Sequence, residues 1–261
     1  MPHEFLLYGP KPPDVDPDEF ESWILFEDDD LLVIDKPGWL VCHPSKRGPL
    51  SSLIGAARSH LETDRLHLVA RLDRETSGVV ILAKNPEAAR KYQMAIESRR
   101  VRKIYFAVLT GELASSARVD LSIGKCTTSP VYSKMRVLAE GDAKDAVTTF
   151  TPIESSSGYT TCRIEIETGR RHQIRVHAEW LGHAVAGDKL YGPDEQLFLE
   201  FIEQGWTERH AVSLPIQRQA LHCLQYTFDF DGESQVFTAP VADDIRSLCC
   251  DKLGFSALTA N

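Results

Sequence analysis

A continuous apolar stretch runs from Gly78 to Ala83, and the segment directly before it, Arg71–Ser77, is almost entirely polar. β-Branched residues dominate the apolar stretch, which is typical of a strand buried on both faces. The pattern therefore predicts a polar loop that leads into a central strand. A rigid strand at that position can fix the geometry of reactive side chains in the loop.

Two segments carry helical periodicity. Asn85 followed by Pro86 is a typical helix start, and the apolar positions after it predict a helix over 86–100. A second apolar stripe predicts a helix over 172–182, with Gly182 at its C-terminal end.

Further strands are predicted where apolar residues alternate or run together between turn residues. These strands are Leu31–Ile34, 102–109 and 160–168. Residues 111–150 have the pattern of turns and short strands. Helices together with an alternating strand favour an α+β fold.

The N-terminal segment, residues 1–22, contains five prolines and little periodicity. We expect an acidic, Pro-rich arm that lies extended on the surface over residues 1–22, followed by one domain over 23–261. The arm is too short to form a folded domain of its own, so no separate N-terminal domain is expected.

Composition places the chain among ordinary globular proteins, because 43% of its residues are hydrophobic and 26% are charged. No apolar run is long enough to span a membrane, and the acidic N-terminus resembles neither a secretory signal nor a transit peptide. The six cysteines include no C-x-x-C pair, which favours free thiols in a reducing cytoplasm.

The net charge of −9 argues at first against nucleic-acid binding. Residues 1–35, however, carry eleven acidic residues and one lysine, so the rest of the chain is close to neutral. The stretch from Lys84 to Phe106 contains seven basic residues and two acidic ones. Local fields matter more than the net charge for contact with phosphate, although a solvated helix face would give the same pattern.

The polar loop contains Asp73 between Arg71 and Arg74. A carboxylate flanked by cations stays ionised when it is partly desolvated, which suits a nucleophile or a base. A salt-bridged turn capped by Thr76 or Ser77 is the alternative interpretation of these residues.

The longer string Arg-Leu-Asp-Arg-Glu-Thr-Ser-Gly, residues 71–78, resembles the central motif of the RluA family of RNA pseudouridine synthases. The aspartate of that motif is the family's catalytic residue, and it corresponds to Asp73. The family usually has a histidine before the arginine, where this chain has Ala70. That difference leaves the catalytic residue in place but affects the packing of the loop or its contact with RNA.

Further strings resemble the same family, and the resemblance as a whole spans roughly residues 25 to 245. The most specific of them runs from Thr168 to His177, with a trailing Gly-His-x-x-x-Gly-Asp-x-x-Tyr-Gly string that ends at Gly192. The weaker strings are the Lys-Pro-Gly segment at 36–44, Lys-x-Tyr at 103–105, and the late strand at 221–228.

The resemblance implies catalytic roles for Asp73, Tyr105 and Arg175. Tyr105 would lie against the uracil ring, and Arg175 would pair with Asp73. We predict no catalytic role for His43. The residues expected to bind substrate are Arg71, Thr76, Lys103, Arg170, His172 and Ile174.

The resemblance further implies a mainly antiparallel central sheet with flanking helices and a central cleft. The expected reaction converts uridine to pseudouridine in structured RNA, either ribosomal or transfer RNA, after the base has been flipped out of its stack. The expected protein is a cytoplasmic monomer that requires neither cofactor nor metal. Residues 111–150 would form a peripheral insert that touches the RNA backbone.

Two other functions stay open on the sequence alone. One is a metal-dependent hydrolase that uses His172, His177, His183 and Asp188, although the spacing of the first two does not align ligands on one helix face. His177 lies on the apolar stripe of the predicted helix, which favours a hydrogen-bonded core residue over a metal ligand. The other is a non-catalytic RNA-binding relative, which would need the arginines but not the carboxylate.

Overall fold

A computed structural model describes residues 13–43, 48–230 and 232–255. Its contacts divide the described chain into two compact units. The first unit consists of residues 13–103 and 222–242, and the second consists of residues 104–221 and 243–255. Among the described helices, none has the length and apolar character needed to cross a bilayer.

The described residues form thirteen strands, several of them at positions where the sequence predicts a strand. In chain order they are β1 (Ile24–Glu27), β2 (Leu31–Lys36), β3 (His67–Leu68), β4 (Ser77–Ala83), β5 (Val101–Thr110), β6 (Ala117–Asp120), β7 (Ile123–Lys125), β8 (Met135–Val137), β9 (Ala143–Lys144), β10 (Val147–Ser156), β11 (Tyr159–Ile166), β12 (Leu221–Phe230) and β13 (Glu233–Thr238).

Seven α-helices accompany these strands within the described residues, together with a 3₁₀ turn at Pro49–Ser51 and a π-helical segment at Leu248–Lys252. The helices are α1 (Pro17–Ser22), α2 (Leu53–His60), α3 (Pro86–Glu97), α4 (Gln173–Trp180), α5 (Gln196–Gln204), α6 (Glu208–Ser213) and α7 (Asp243–Ser247).

In the first unit, β2 pairs antiparallel with both β1 and β4. The start of β12 pairs with β4 in parallel, and β12 then pairs antiparallel with β13. All seven residues of β4 are buried, which confirms the prediction of a strand covered on both faces. Because β4 is this well enclosed, it is a rigid support for the polar loop that precedes it.

In the second unit, β11 lies between β5 and β10, and β10 also pairs with β6, all antiparallel. Cys162, Ile164 and Ile166 of β11 are buried while the residues between them are half-exposed, as the alternating pattern predicts. A smaller antiparallel sheet has the order β8-β7-β9. The mainly antiparallel α+β fold is therefore confirmed, and the cleft implied by the resemblance stays a prediction.

Both predicted helices are present. Helix α3 starts where expected, with Asn85 accepting a hydrogen bond from the N–H of Ala88, but it ends at Glu97 rather than at residue 100. Arg99 adopts a left-handed conformation with φ of 57°, and this reversal closes the helix. Helix α4 is shorter than the predicted 172–182, because His172 is its N-cap and it ends at Trp180. Gly182 terminates it as predicted, with φ of 82° and the N–H of His183 bonded to the carbonyl of Ala178.

The expectation of an extended arm is wrong for its last residues. Pro17–Ser22 is helical because Asp16 caps the N–H of Asp18 and Pro17 occupies the first helical turn. The side chain of Phe20 is buried, with its ring against those of Trp23 and His60. Residues 1–12 of the predicted arm lie outside the described residues, and the domain boundary at residue 22 stays a prediction.

Candidate active site

The polar loop before β4 places Asp73 at a half-buried position in a turn closed by its own backbone. The N–H of Thr76 donates to the carbonyl of Asp73 at 3.2 Å. Such a turn fixes the backbone next to the carboxylate. The side chain of Thr76, a predicted substrate-binding residue, is 2% exposed.

A buried lysine is hydrogen-bonded to the backbone of this loop. Lys36, at the end of β2, is completely buried, and its ammonium donates to three carbonyl oxygens. The acceptors are those of Pro37 at 2.7 Å, Leu40 at 2.9 Å and Arg74 at 3.0 Å. An ammonium has three N–H donors, so three carbonyls match them and compensate the loss of hydration. Because Arg74 follows Asp73 directly, the contact fixes the backbone beside the proposed catalytic carboxylate.

Two further hydrogen bonds tie the loop to the segment after Lys36. The Nε of Arg74 donates to the carbonyl of Trp39 at 3.2 Å, and the Sγ of Cys42 donates to the carbonyl of Leu72 at 3.4 Å. Burial raises the pKa of the Cys42 thiol, an effect that the charge of Lys36 opposes. The Cys42 thiol is therefore neutral and acts here as a hydrogen-bond donor.

The exit of the loop into β4 requires glycine. Gly78 has φ of 104°, and a Cβ at this position would lie 2.2 Å from the carbonyl oxygen of Cys223 on β12. The absence of a side chain therefore lets β4 and β12 pair in parallel at close range. The Oγ of Ser77 and the Nδ1 of His222 are 2.8 Å apart in the same place.

The exposed side chain of this loop is Arg71. Its terminal nitrogen lies 2.9 Å from the Nε2 of His43, a residue that also belongs to the first unit. The loop therefore carries a cation at its surface end and the half-buried Asp73 further in.

In the second unit, α4 carries Arg175 with 7% of its surface exposed. The guanidinium forms a bidentate pair with Asp188, with Nε–Oδ2 of 2.6 Å and a terminal nitrogen to Oδ1 at 2.9 Å. The backbone N–H groups of Leu190 and Tyr191 also donate to Oδ1. Burial alone would raise the pKa of Asp188, but the charge of Arg175 and these hydrogen bonds hold it below its ordinary value.

Tyr191 connects Arg175 to a second predicted site residue, His172. Its ring centroid lies 4.8 Å from the Cζ of Arg175, and its hydroxyl lies 2.8 Å from the Nδ1 of His172. The hydroxyl also accepts the N–H of Met135 at 2.8 Å. His172 is the N-cap of α4 and has a left-handed backbone with φ of 57°, a conformation that surrounding contacts must hold in place.

Gln173 supplies such contacts from the buried side. Its Oε1 accepts hydrogen bonds from the Oγ1 of Thr168 and from the N–H of Arg170, and its Nε2 donates to the Oγ1 of Thr148. The strained segment that carries Arg170 and His172 is therefore fastened by one buried amide. Arg170 itself is exposed, with its Nε donating to the carbonyl of Asp145.

His177 is a core residue, as the sequence predicted. Its Nε2 lies 3.0 Å from the carbonyl of Leu121, which can only accept, so Nε2 carries the proton. Nδ1 then accepts from the hydroxyl of Thr148 at 2.9 Å. Burial lowers the pKa of His177, which keeps the ring neutral.

These contacts disfavour the metal-site alternative, because its four candidate ligands are engaged with protein groups. His183 contacts the carbonyl of Thr110, and the partners of His172, His177 and Asp188 are given above. Within the part of the chain that the structure describes, no three His, Cys, Asp or Glu side chains are grouped in a way that could hold a metal ion.

The remaining predicted site residues are buried. Tyr105 is 6% exposed, Lys103 is 5% exposed and Ile174 is 5% exposed. Desolvation lowers the pKa of Lys103. Asp73 belongs to the first unit, whereas Tyr105 and Arg175 belong to the second. Their convergence in one site stays a prediction, as do the individual roles of all nine residues.

Sequence analysis identified none of the four residues whose hydrogen bonds hold the predicted site residues in place, and it considered Asp188 only as a metal ligand. They are Lys36, Gln173, Asp188 and Tyr191. All four lie inside the strings that carry the family resemblance, so their presence in those strings is the signal that could have identified them. All six cysteines are free thiols, as expected.

Comparison with known proteins identifies the fold and the family. The model of the RNA pseudouridylate synthase family matches residues 30–180. The chain is 36% identical over 232 residues to a ribosomal large subunit pseudouridine synthase D from Vibrio vulnificus, covering 86% of this chain and 69% of the relative. It is 34% identical over 254 residues to an RNA pseudouridine synthase from Chlorobaculum parvum, covering 91% of this chain and 76% of the relative.

Among solved structures, human RNA pseudouridylate synthase domain containing 1 superimposes with a TM-score of 0.66 at 25% identity. The match covers 83% of this chain and 82% of the human chain. The family match, the two relatives and this structure agree with the resemblance carried by the motifs. The chain therefore belongs to the RluA family of RNA pseudouridine synthases and is an isomerase that acts on RNA.

Proposed function

We propose that Asp73 is the catalytic carboxylate and that the chain isomerises specific uridines of ribosomal RNA to pseudouridine. The observation that carries this proposal is the support of the Asp73 loop. The buried ammonium of Lys36 donates to the carbonyl of Arg74, and the thiol of Cys42 donates to the carbonyl of Leu72. The guanidinium of Arg74 in turn donates to the carbonyl of Trp39. Catalytic groups need this kind of fixed geometry, because a misplaced group loses much of its effect.

The reaction rearranges bonds within one nucleotide. The N1–C1′ glycosidic bond breaks, the uracil turns, and a C5–C1′ bond forms in its place. C5 loses its proton and N1 gains one, so the product is an isomer of the substrate and no oxidant or reductant is consumed. A carboxylate at this position can act on the ribose in two ways, by attack on C1′ or by removal of the C2′ proton, and both stay open.

The target base must leave its stack before it can reach a half-buried carboxylate, at a cost of a few kcal/mol. Arg71 is exposed at the outer end of the loop, where it can fill the vacated space or hold a phosphate. Tyr105 is the proposed partner for the uracil ring, since an aromatic ring stacks on a base without reading its edges.

Arg175 is the proposed partner of the Asp73 carboxylate. Asp188 binds its Nε and one terminal nitrogen. The fixed positive charge of a guanidinium favours the ionised form of a carboxylate beside it. Arg170 is exposed and suited to a phosphate contact. Thr76, Lys103 and Ile174 are the proposed contacts to the nucleotide, on the resemblance of their strings to the family motifs.

The insert over 111–150 offers a second RNA contact. Tyr132 is 79% exposed, and the Nζ of Lys125 lies 3.5 Å from the centroid of its ring. An exposed ring beside a cation can stack on an unpaired base while the cation contacts phosphate. We propose that this pair extends the RNA-binding surface of the second unit.

Ribosomal RNA is the proposed substrate because the relative from Vibrio vulnificus is named for the large ribosomal subunit. Mapping pseudouridines in total RNA from cells with and without the gene tests this choice. We expect at least one large-subunit uridine to stay unmodified without the gene and to be modified again when the gene is returned.

Restoration with the Asp73→Asn gene is the control, and it should leave that uridine unmodified. If only a transfer RNA site changes, the proposed ribosomal substrate is wrong, but the proposed isomerisation of uridine is supported. If no RNA loses a pseudouridine, the proposed function is contradicted.

A further inference from the structure

The side chain of Arg71 contacts that of His43 at the protein surface. A terminal nitrogen of the guanidinium lies 2.9 Å from the Nε2 of His43, which is hydrogen-bond distance. Sequence analysis predicts no catalytic role for His43, and its side chain is exposed, so it contributes little to the core.

The chemistry of the two groups fixes the state of the histidine. A guanidinium has only donors and is always charged, so the Nε2 of His43 must accept. An accepting nitrogen carries no proton, and the proton of the neutral ring therefore lies on Nδ1. An imidazolium has no acceptor and would repel the guanidinium, so the observed contact exists only while His43 is neutral.

The surroundings favour that neutral form. Desolvation and then the charge of Arg71 lower the pKa of His43 below its ordinary value. Arg71 is the charged group that acts on His43, while the charges of Lys36 and Asp73 act on the neighbouring Cys42. Two further basic residues, Lys46 and Arg47, follow closely in sequence and lie outside the described residues.

The residue before His43 is bonded to the loop. Cys42 is 3% exposed and bonds through its Sγ to the carbonyl of Leu72. Cys42 therefore contacts Leu72, and its neighbour His43 contacts Arg71, the residue before Leu72. The acceptor for Arg71 is consequently held on the same rigid segment that supports Asp73.

We propose that His43 is a positioning residue that orients the guanidinium of Arg71 towards the RNA, and that protonation of His43 releases Arg71 and slows turnover. This inference rests on the proposed function of Arg71 as the side chain that enters the space left by the flipped base. It makes the first unit sensitive to acidification below the ordinary pKa of histidine, because the pKa of His43 is lowered.

Single-turnover rates of pseudouridine formation, measured between pH 5 and 8 with saturating enzyme, test the proposal. His43→Gln supplies an amide oxygen that accepts from Arg71 at every pH. The ratio of the His43→Gln rate to the wild-type rate should therefore rise as the pH falls, because titrations common to both proteins cancel. His43→Ala, which removes the acceptor, should be slower by about three- to tenfold at neutral pH.

His60→Gln serves as a matched control, since His60 is on α2 and contacts Glu27 and Phe20 instead of the loop. Its rate ratio should be constant with pH. A constant ratio for His43→Gln together with a wild-type rate for His43→Ala would overturn the proposal. Asp73→Asn in the same assay tests the proposed catalytic role of Asp73 separately from the role of His43. Activity in that variant would contradict the proposed function itself.

Discussion

Each unit buries a charged group next to a proposed site residue, and the two groups have opposite sign. In the first unit, the Lys36 ammonium is solvated by backbone carbonyls, one of which belongs to the residue after Asp73. In the second unit, the Asp188 carboxylate is solvated by backbone amides and by the guanidinium of Arg175. The first arrangement fixes a backbone, whereas the second fixes a side chain through an ion pair.

This difference has energetic consequences. Removing Lys36 also removes a buried charge, so the loss of its hydrogen bonds is partly offset by the lower cost of desolvation. Removing the charge of Asp188 leaves the Arg175 charge in place at low exposure and takes away the carboxylate that pairs with it. We therefore expect the ion pair to be the more sensitive of the two arrangements.

The largest expected effect on stability belongs to Asp188→Asn. The amide keeps the shape but offers N–H groups to the donors of Arg175, so the free energy of unfolding should fall by about 3–5 kcal/mol. Urea denaturation measures it. Asp244→Asn is the matched control, because Asp244 makes the same bidentate contact to Arg218 but is 47% exposed, and its cost should be clearly smaller.

The pH dependence of stability follows from the same pair. The folded-state pKa of Asp188 is lowered, so its stabilising contribution is present above the pKa of the unfolded chain. That contribution is lost as the pH falls through the lower folded-state value. The acid destabilisation of Asp188→Asn should be weaker than that of the wild type, and equal acid destabilisation would contradict the assignment.

The next effect is that of Lys36→Met. The apolar chain fills the same space but leaves three carbonyls without their donor, and we expect a loss of about 2–3 kcal/mol in the free energy of unfolding. Turnover by the folded fraction should also fall, because the carbonyl of Arg74 is no longer fixed. Lys84→Met is the control, since Lys84 pairs with Glu27 near the surface and should cost at most about 1 kcal/mol.

The smallest of these effects concerns RNA affinity in the second unit. Tyr132→Ala removes the exposed ring, and the binding free energy for RNA should weaken by about 1–2 kcal/mol with no change in melting temperature. Val212→Ala is the control, because Val212 is 83% exposed on α6 and has no proposed contact. Equal affinities of the two variants would remove the insert from the RNA surface.

Local pattern predicted the elements that carry the site. The apolar run of β4, the Asn85 cap of α3 and Gly182 after α4 each reflect interactions within a few residues. The α1 helix was missed because one short turn with a single buried residue, Phe20, has too little periodicity to stand out. The string around Asp73 identified the candidate catalytic residue through its resemblance to a family.

The supports of the site could not be predicted in this way. A lysine within a strand is usually exposed, and one of the three carbonyls that bind the buried Lys36, that of Arg74, lies 38 residues away in sequence. Asp188 was considered only as a metal ligand, since its partner Arg175 lies 13 residues earlier. Contacts of this kind depend on how distant segments fold together, and neither periodicity nor composition encodes them.

The measurement that tests the central claim most directly is the single-turnover rate of pseudouridine formation by Asp73→Asn. The rate should fall by at least about a thousandfold, each tenfold corresponding to about 1.4 kcal/mol of barrier. RNA affinity and melting temperature should stay near those of the wild type, because phosphate contacts supply most of the affinity. The exposed Asp64→Asn variant should behave as the wild type. A folded Asp73→Asn protein that converts uridine at a near wild-type rate would contradict the assignment of Asp73 as the catalyst.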